Sequence, residues 1–274
     1  MSYDDGLVQD KKLIGLFNEN GIVGTFNLNS GLLGQTNTWR RNNAPDIIAT
    51  YVSKDSLLDI YKHHEIAAHG ATHLNFLNAS DSAIYQDVMT DIKQLTSLTK
   101  MAVISMAYPF GSSNEHIAGI VRTTGITNAR TVASTHTFAL PKDYLLWHPT
   151  CHDSTALEMV NDYLSLKSNG LSVFNVWGHS WEFDDAKRWN DITNFCRKIG
   201  NRKDIWYAGA GEFTSYQLAL KGLIFRQDSI INPSPNQTIW YRQRNKLHSL
   251  APGQAIPASK EYSGIKYMVL QDLL

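Results

Sequence analysis

The sequence predicts an α/β fold: a parallel sheet closed into a (β/α) barrel, with a small β appendage at the C-terminal end. Three observations lead there. Strand-like and helix-like apolar segments alternate as seven or eight units over about the first 220 residues. From residue 224 onward the pattern changes to short apolar runs separated by Pro and Gly. The length of 274 residues suits one large domain with a small addition, and the boundary is drawn between residues 1–222 and 223–274.

The elements follow in order. Residues 7–20 read as a helix closed by Gly21, which suits a left-handed C-terminal cap. Residues 22–28 form a strand rich in β-branched and aromatic side chains. A polar loop over 29–45 leads to a helical stretch at 54–63 and then to a short apolar run at 65–68 that ends at His69. The clearest helix is 80–98, where Ile84, Val88, Ile92 and Leu95 share one face. Strands are expected at 101–107, 126–132, 144–147, 171–177 and 205–208. Helices are expected at 115–123, 154–166 and 213–220, with another marked by Trp189, Ile192, Cys196 and Ile199. In the tail, the turn signals at 232–235, Arg244-Asn245 and Pro252-Gly253 separate short strands such as 238–241.

Composition narrows the function. Basic and acidic residues balance at 25 each, so no overall field favours nucleic acid, and none is expected as a partner. Seven Trp and twelve Tyr suit a groove that stacks on sugar rings, although most aromatic side chains serve cores. Cys151 and Cys196 could pair, but they supply neither a disulfide framework nor a zinc ribbon. No run approaches the ~18 apolar residues of a membrane span. The start, Met1 to Asp5, has no secretory character, so a cytoplasmic location is expected for the sequence as it stands. With only Met1 to Tyr3 before the Asp pair, the first strand is a stub or continues upstream, and in the second case an extracellular or cell-surface location follows. The oligomeric state is not legible.

Four clusters lie where strands should end, the rim that carries the active site in parallel barrels. Asp4 and Asp5, in Tyr-Asp-Asp-Gly, are costly neighbours unless a cation or donors absorb their charge, although the motif also reads as a helix cap and turn. His69 and His73 are four apart and converge on one ion if the backbone between them turns tightly. Tyr108-Pro109-Phe110-Gly111 fixes a turn that can present a backbone N–H, or is simply a strand end. Trp177-Gly178-His179-Ser180-Trp181-Glu182 places a histidine between two indoles, as a proton donor or as a packed side chain.

In this order, Tyr-Asp-Asp, Glu-Ile-Ala-Ala-His-x-x-x-His, Tyr-Pro-Phe-Gly and strand-His, the sequence resembles the polysaccharide deacetylases of carbohydrate esterase family four. The resemblance runs from Tyr3 to about Tyr216 and includes Asp204-Ile205-Trp206-Tyr207 and Glu212. It implies a deformed (β/α) barrel of about seven units with one divalent metal, expected to be zinc, held by Asp5, His69 and His73. It further implies Asp4 as general base, His179 as general acid and the Phe110 N–H as an oxyanion donor. Trp177 would line the acyl pocket, and Tyr108, His152 and Glu182 are further candidates for the substrate site. The implied reaction is hydrolysis of a non-peptide C–N amide bond, with an N-acetylated glycan as substrate. Hydrolysis of another small amide or imide, or a degenerate carbohydrate-binding barrel, are the alternatives.

Three departures stand against the pattern. Ala107 replaces the Arg that would pair with the catalytic Asp, and Gly70 replaces the usual Ser or Thr after the first histidine. The Asp partner of the acid has no clear counterpart. His148, His152 and Asp153 lie in the right stretch, and Glu182 is another candidate to support His179.

Overall fold

In the computed structural model, which describes residues 1–167, 170–243 and 246–257, two compact units emerge. The first comprises Met1–Leu166, Val173–Asn201 and Tyr207–Gly211. In chain order it contains β1 (Ser2–Asp5), α1 (Asp10–Glu19), β2 (Thr25–Leu28), β3 (Thr36–Trp39), β4 (Ile47–Thr50), α2 (Leu57–Ile60), β5 (Glu65–Ala68) and α3 (Asp81–Thr99). Then come β6 (Ser105–Ala107), α4 (Glu115–Arg122), β7 (Asn128–Arg130), β8 (Cys151–His152), α5 (Asp153–Leu164), β9 (Val176–His179), α6 (Glu182–Asp185) and α7 (Trp189–Ile199).

Seven of these strands form one sheet in the order β7-β6-β5-β2-β1-β9-β8. Every pairing in it is parallel. The sheet curls into a half-barrel flanked by helices, the deformed (β/α) barrel that the sequence predicts. The gap between its edges is crossed by irregular backbone: Trp147 bridges to Arg130 on β7, and Cys151 opens β8 beside β9. Buried on both faces, the strands are short and almost fully inaccessible, as in β1, β2 and β7.

Local chemistry sets the helix ends. The Ser80 hydroxyl accepts the Ala83 N–H at 3.3 Å to start α3, which stops where Lys100 turns left-handed at φ 61°. Asn114 starts α4 by accepting the Ile117 N–H at 2.8 Å. Beneath β1 and β2, the rings of Tyr3, Phe17 and Phe26 pack with centroids 5.9–6.2 Å apart. Each is fully buried, contributing roughly 1.5–3 kcal/mol of apolar transfer.

Several expectations are corrected. The polar loop at 29–45 conceals β3, which pairs with β4 as an antiparallel hairpin; Thr36-Asn37-Thr38-Trp39 holds a single apolar side chain and so has no apolar run to reveal it. Residues 144–147 form a 3-10 turn, Tyr144–Leu146, followed by the single bridge at Trp147. Residues 205–208 are not a strand; Trp206 packs on Tyr216 and Phe213, and Tyr207 donates to the Ile199 carbonyl at 2.5 Å, so their aromatic content serves packing. Cys151 and Cys196 are both buried free thiols. Among the described residues no helix is long and apolar enough to cross a membrane.

The second unit comprises Lys167–Ser172, Arg202–Trp206 and Glu212–Leu274. It holds α8 (Ala210–Lys221) from Glu212 onward and the strands β10 (Ile224–Phe225), β11 (Ser229–Ile231), β12 (Ile239–Gln243), β13 (Lys246–Leu250) and β14 (Ala255–Pro257). β10, β11 and β14 form one antiparallel sheet and β12 with β13 another, around Tyr216, Ile230, Ile239, Tyr241 and Leu250. The turn expected at Arg244-Asn245 and the tail beyond residue 257 lie outside the described residues.

Candidate active site

Strand register assembles the site. Asp4 is level with His179 across the β1–β9 pair, and Asp5 is level with Leu28, itself level with Ala68 at the end of β5. His69 is the first residue past β5, so Asp4, Asp5, His69 and His179 share the carboxyl rim of the sheet.

Asp5 Oδ1 lies 3.8 Å from His69 Nε2 and 3.7 Å from His73 Nε2. One donor atom from each of the three residues falls within 4.8 Å of the other two. The His69 ring is oriented by its other nitrogen: Nδ1–H donates to the Ala107 carbonyl at 2.9 Å, leaving the Nε2 lone pair facing the aspartates. Burial lowers the His69 pKa to about 4 and lowers that of His73, so both imidazoles are neutral at pH 7. Burial raises the pKa of Asp5. Two neutral imidazoles and one buried carboxylate are a donor set that fits a divalent transition ion, and three protein ligands are the number characteristic of catalytic rather than structural zinc sites. Asp5 and His73 hold left-handed backbones at φ 78° and 57°, a strain of the kind found at functional sites.

The loop behind His69 explains Gly70. Its φ is +72°, and a Cβ there would lie 2.5 Å from Asp87 Oδ2. Asp87 instead accepts the Thr72 N–H and hydroxyl at 3.0 and 2.7 Å, and Asn29 Nδ2 donates to the His69 and Gly70 carbonyls at 2.7 Å each. Asp91, fully buried on α3, accepts the His69 and Ser30 N–H groups at 2.8 Å each. The tight turn that brings His73 onto His69 is thus fastened by polar side chains, as a buried loop requires.

Asp4 has the arginine that Ala107 does not supply. Arg130, at the end of β7 and 3% exposed, places Nη2 against both carboxylate oxygens of Asp4. Its Nε donates to Ser2 Oγ at 2.9 Å and its Nη1 to the Thr131 carbonyl at 3.0 Å. Asn27 Nδ2 adds a bond to Asp4 Oδ1 at 2.8 Å. Burial alone would raise the Asp4 pKa, but the charge of Arg130, followed by those of His69 and His179, brings it to about 2. Arg130 and Asn27 escape the sequence analysis; the available signal was a lone Arg within the stretch 126–132, which is expected to be a strand.

Across the rim, His179 Nε2 lies 4.0 Å from Asp4 Oδ2, and its Nδ1 meets Glu182 Oε1 at 3.0 Å. Burial lowers the His179 pKa, yet the Glu182 bond and the charges of Asp5 and Asp4 outweigh it and carry the group to about 9. Burial raises the Glu182 pKa, but bonds from His152 and His179 lower it to about 2. The carboxylate beside His179 is therefore Glu182, whereas Asp153 pairs with Arg188 at 2.9 Å. His152 Nε2 reaches Glu182 Oε2 at 3.1 Å, and Arg188 Nη2 reaches the same oxygen at 3.3 Å. His148 is exposed and bonds Thr131 Oγ1 at 2.6 Å.

The remaining candidates separate. Phe110 is 63% exposed, left-handed at φ 58°, with its ring 4.4 Å from that of His73, and its N–H meets no acceptor among the described residues. Trp177 is half-buried, with its ring 4.8 Å from His152 and 5.7 Å from His179, and the Arg130 guanidinium lies 4.9 Å over it. Tyr108 is corrected: it is 1% exposed and its hydroxyl donates to the Leu145 carbonyl at 2.7 Å, so it belongs to the core and does not reach the cleft.

Residues 1–129 match the sequence model of the polysaccharide deacetylase family, which shows the resemblance read from the motifs over that stretch. A protein from Mycobacterium smegmatis, itself assigned to the polysaccharide deacetylases, has a similar crystal structure. Its TM-score is 0.55 at 17% identity, covering 79% of each chain, which shows a shared fold. The family 4 carbohydrate esterase from Streptomyces lividans in complex with acetate matches at TM-score 0.46 and 12% identity, over 72% of this chain and 85% of that one. The Streptococcus pyogenes deacetylase PplD in complex with acetate matches at 0.42 and 15%, over 48% of this chain and 55% of that one. This chain spans about half the length of the Streptococcus pyogenes structure and less of a Bacillus cereus polysaccharide deacetylase, 55% and 44% respectively. No curated protein matches the sequence.

Proposed function

With residues 1–129 matching the polysaccharide deacetylases, we propose that this protein is a metal-dependent amide hydrolase that removes acetyl groups from N-acetylated amino sugars in a polysaccharide or cell-wall glycan. The observation that carries the reading is the convergence of Asp5, His69 and His73 beside an Asp4 held by Arg130 and a His179 held by Glu182. Asp5, His69 and His73 would hold one divalent ion, zinc by preference for two imidazoles and a carboxylate. Such an ion supplies a Lewis acid for the acyl oxygen and makes water nucleophilic near neutral pH.

The chain's own residues do the rest. Asp4, ionised beside Arg130, accepts and orients the proton of the attacking water. Its low pKa makes it a weak base, so its role is positional as much as basic. His179, protonated at neutral pH, donates from Nε2 to the departing nitrogen while Glu182 steadies Nδ1. The free Phe110 N–H is available to the oxyanion, and Trp177 walls the acyl pocket beside His179. Against the alternative of a degenerate binding barrel, the Arg130–Asp4 pair supplies the arginine that Ala107 does not, which supports an intact site.

The test is acetate release from chitin oligomers and peptidoglycan fragments by zinc-loaded protein, with metal content measured in parallel. Turnover lost with Asp5→Ala, together with the bound ion, supports the reading. No acetate from any acetylated sugar, or an Asp5→Ala protein that binds metal like the parent, overturns it.

A further inference from the structure

Beside the proposed metal triad lies a second convergence of donor groups, His152, His179 and Glu182, each offering an atom within 4.8 Å of the others. Its composition suits a cation, but its hydrogen bonds do not. His152 is the N-cap of α5, and its Nδ1 accepts the Ser154 backbone N–H at 3.2 Å. A backbone N–H only donates, so Nδ1 carries the lone pair and the ring proton resides on Nε2. That N–H points at Glu182 Oε2, 3.1 Å away, and Arg188 donates to the same oxygen at 3.3 Å. Two nearby oxygens could take a proton from Nδ1: Asp153 Oδ1 at 3.4 Å, itself held by Arg188 at 2.9 Å, and Ser154 Oγ at 3.0 Å, a hydroxyl that donates to the Nδ1 lone pair once the backbone N–H has placed that lone pair there.

We propose that His152 is a positioning residue whose capping bond to α5 fixes the tautomer with which it holds Glu182, and so holds His179. The statement rests on the deacetylase reading for its reaction and reassigns His152 from the substrate wall to the support of the acid. Helix capping ordinarily falls to Ser, Thr, Asp or Asn, so an imidazole there is unusual and couples a fold element to the site. With Oε2 taken by His152 and Arg188, only Oε1 faces His179 Nδ1, at 3.0 Å. His179 must then carry its Nδ1 proton toward Glu182 and aim Nε2 at the rim, where Asp4 lies 4.0 Å away. Trp177 stands nearly perpendicular to the His152 ring, at 83° and 4.8 Å, and keeps it from swinging into the cleft.

Two substitutions separate the two jobs of one side chain. His152→Asn puts an acceptor near the position of Nδ1 and keeps the cap, but is too short to reach Glu182. His152→Gln puts a donor near the position of Nε2 and gives up the cap. For His152→Asn we expect Tm within ~2 °C of the parent and kcat about tenfold lower at unchanged KM, a fraction of the ~10²–10⁴ that a general acid supplies. For His152→Gln we expect kcat within about threefold of the parent and Tm ~2–4 °C lower, the effect of a lost cap in a chain of this size. Nitrogen-15 NMR of the imidazoles in the parent should show His152 protonated at Nε2, a readout that needs no substrate. A parent inactive on every acetylated sugar would refute the deacetylase reading while the tautomer still decides this one. A His152→Asn protein with parental kcat, equal losses in both variants that track Tm, or an Nδ1–H tautomer would each overturn the proposal.

Discussion

Removing the guanidinium of Arg130 puts the support of Asp4 to a quantitative test. Arg130→Met keeps the length and apolar stem of the side chain but strips its bonds to Asp4, Ser2 and the Thr131 carbonyl. Asp4 is 3% exposed, so its carboxylate would remain in the interior with Asn27 as its nearest remaining donor, at 2.8 Å. Leaving one member of a buried ion pair alone costs about 3–5 kcal/mol. Asp4→Asn alone strands the cation and costs a similar amount. The double variant buries no unpaired charge, so its loss should fall short of the sum of the singles by about 2 kcal/mol or more. Arg130→Lys keeps a charge without the fork and should fall between parent and Arg130→Met. Urea unfolding of metal-free protein at pH 7, followed by circular dichroism, measures all four. If the singles add to within ~0.5 kcal/mol of the double, the pair is not coupled and the assignment of Arg130 to Asp4 fails.

Three further outcomes are expected. Glu182→Gln should move the alkaline limb of kcat/KM against pH downward from about 9 toward the ordinary histidine value of 6.5, because the proposed proton donation requires His179 to be protonated. The sign for stability is the same: the raised His179 pKa stabilises the fold fully below 6.5 and loses that contribution as pH rises through about 9, so an unshifted limb would remove the Glu182–His179 link. Gly70→Ser, which restores the residue usual in the resembled family, should destabilise by about 1–2 kcal/mol in thermal unfolding, since its φ is +72° and its Cβ would press on Asp87; a neutral result would show that the loop relaxes freely. Tyr108→Phe should cost about 1 kcal/mol of stability for the lost bond to Leu145 and leave KM unchanged, whereas a raised KM with parental stability would return Tyr108 to the substrate site.

What the sequence could and could not reveal divides along the sheet. Asp5, His69 and His73 were legible because each sits within a few residues of a strand end, so knowing that strands are parallel suffices to put them on one rim. Glu182 was half legible, as a carboxylate three residues after His179 at the head of a short helix. Strand β3 and the two-residue β8 were not, because neither is long or apolar enough to leave a period. Arg130 was hidden for a different reason. Four strand spacings separate β7 from β1 in the order β7-β6-β5-β2-β1, which in a flat sheet amounts to roughly 19 Å at ~4.8 Å each. No side chain spans that, so the reach of Arg130 to Asp4 exists only because the sheet curls and carries its edge strand round to face β1. The curl therefore supplies what Ala107 lacks: an arginine from the neighbouring strand does the work expected of the one before the Pro-Phe-Gly turn, from a position that periodicity along the chain does not disclose.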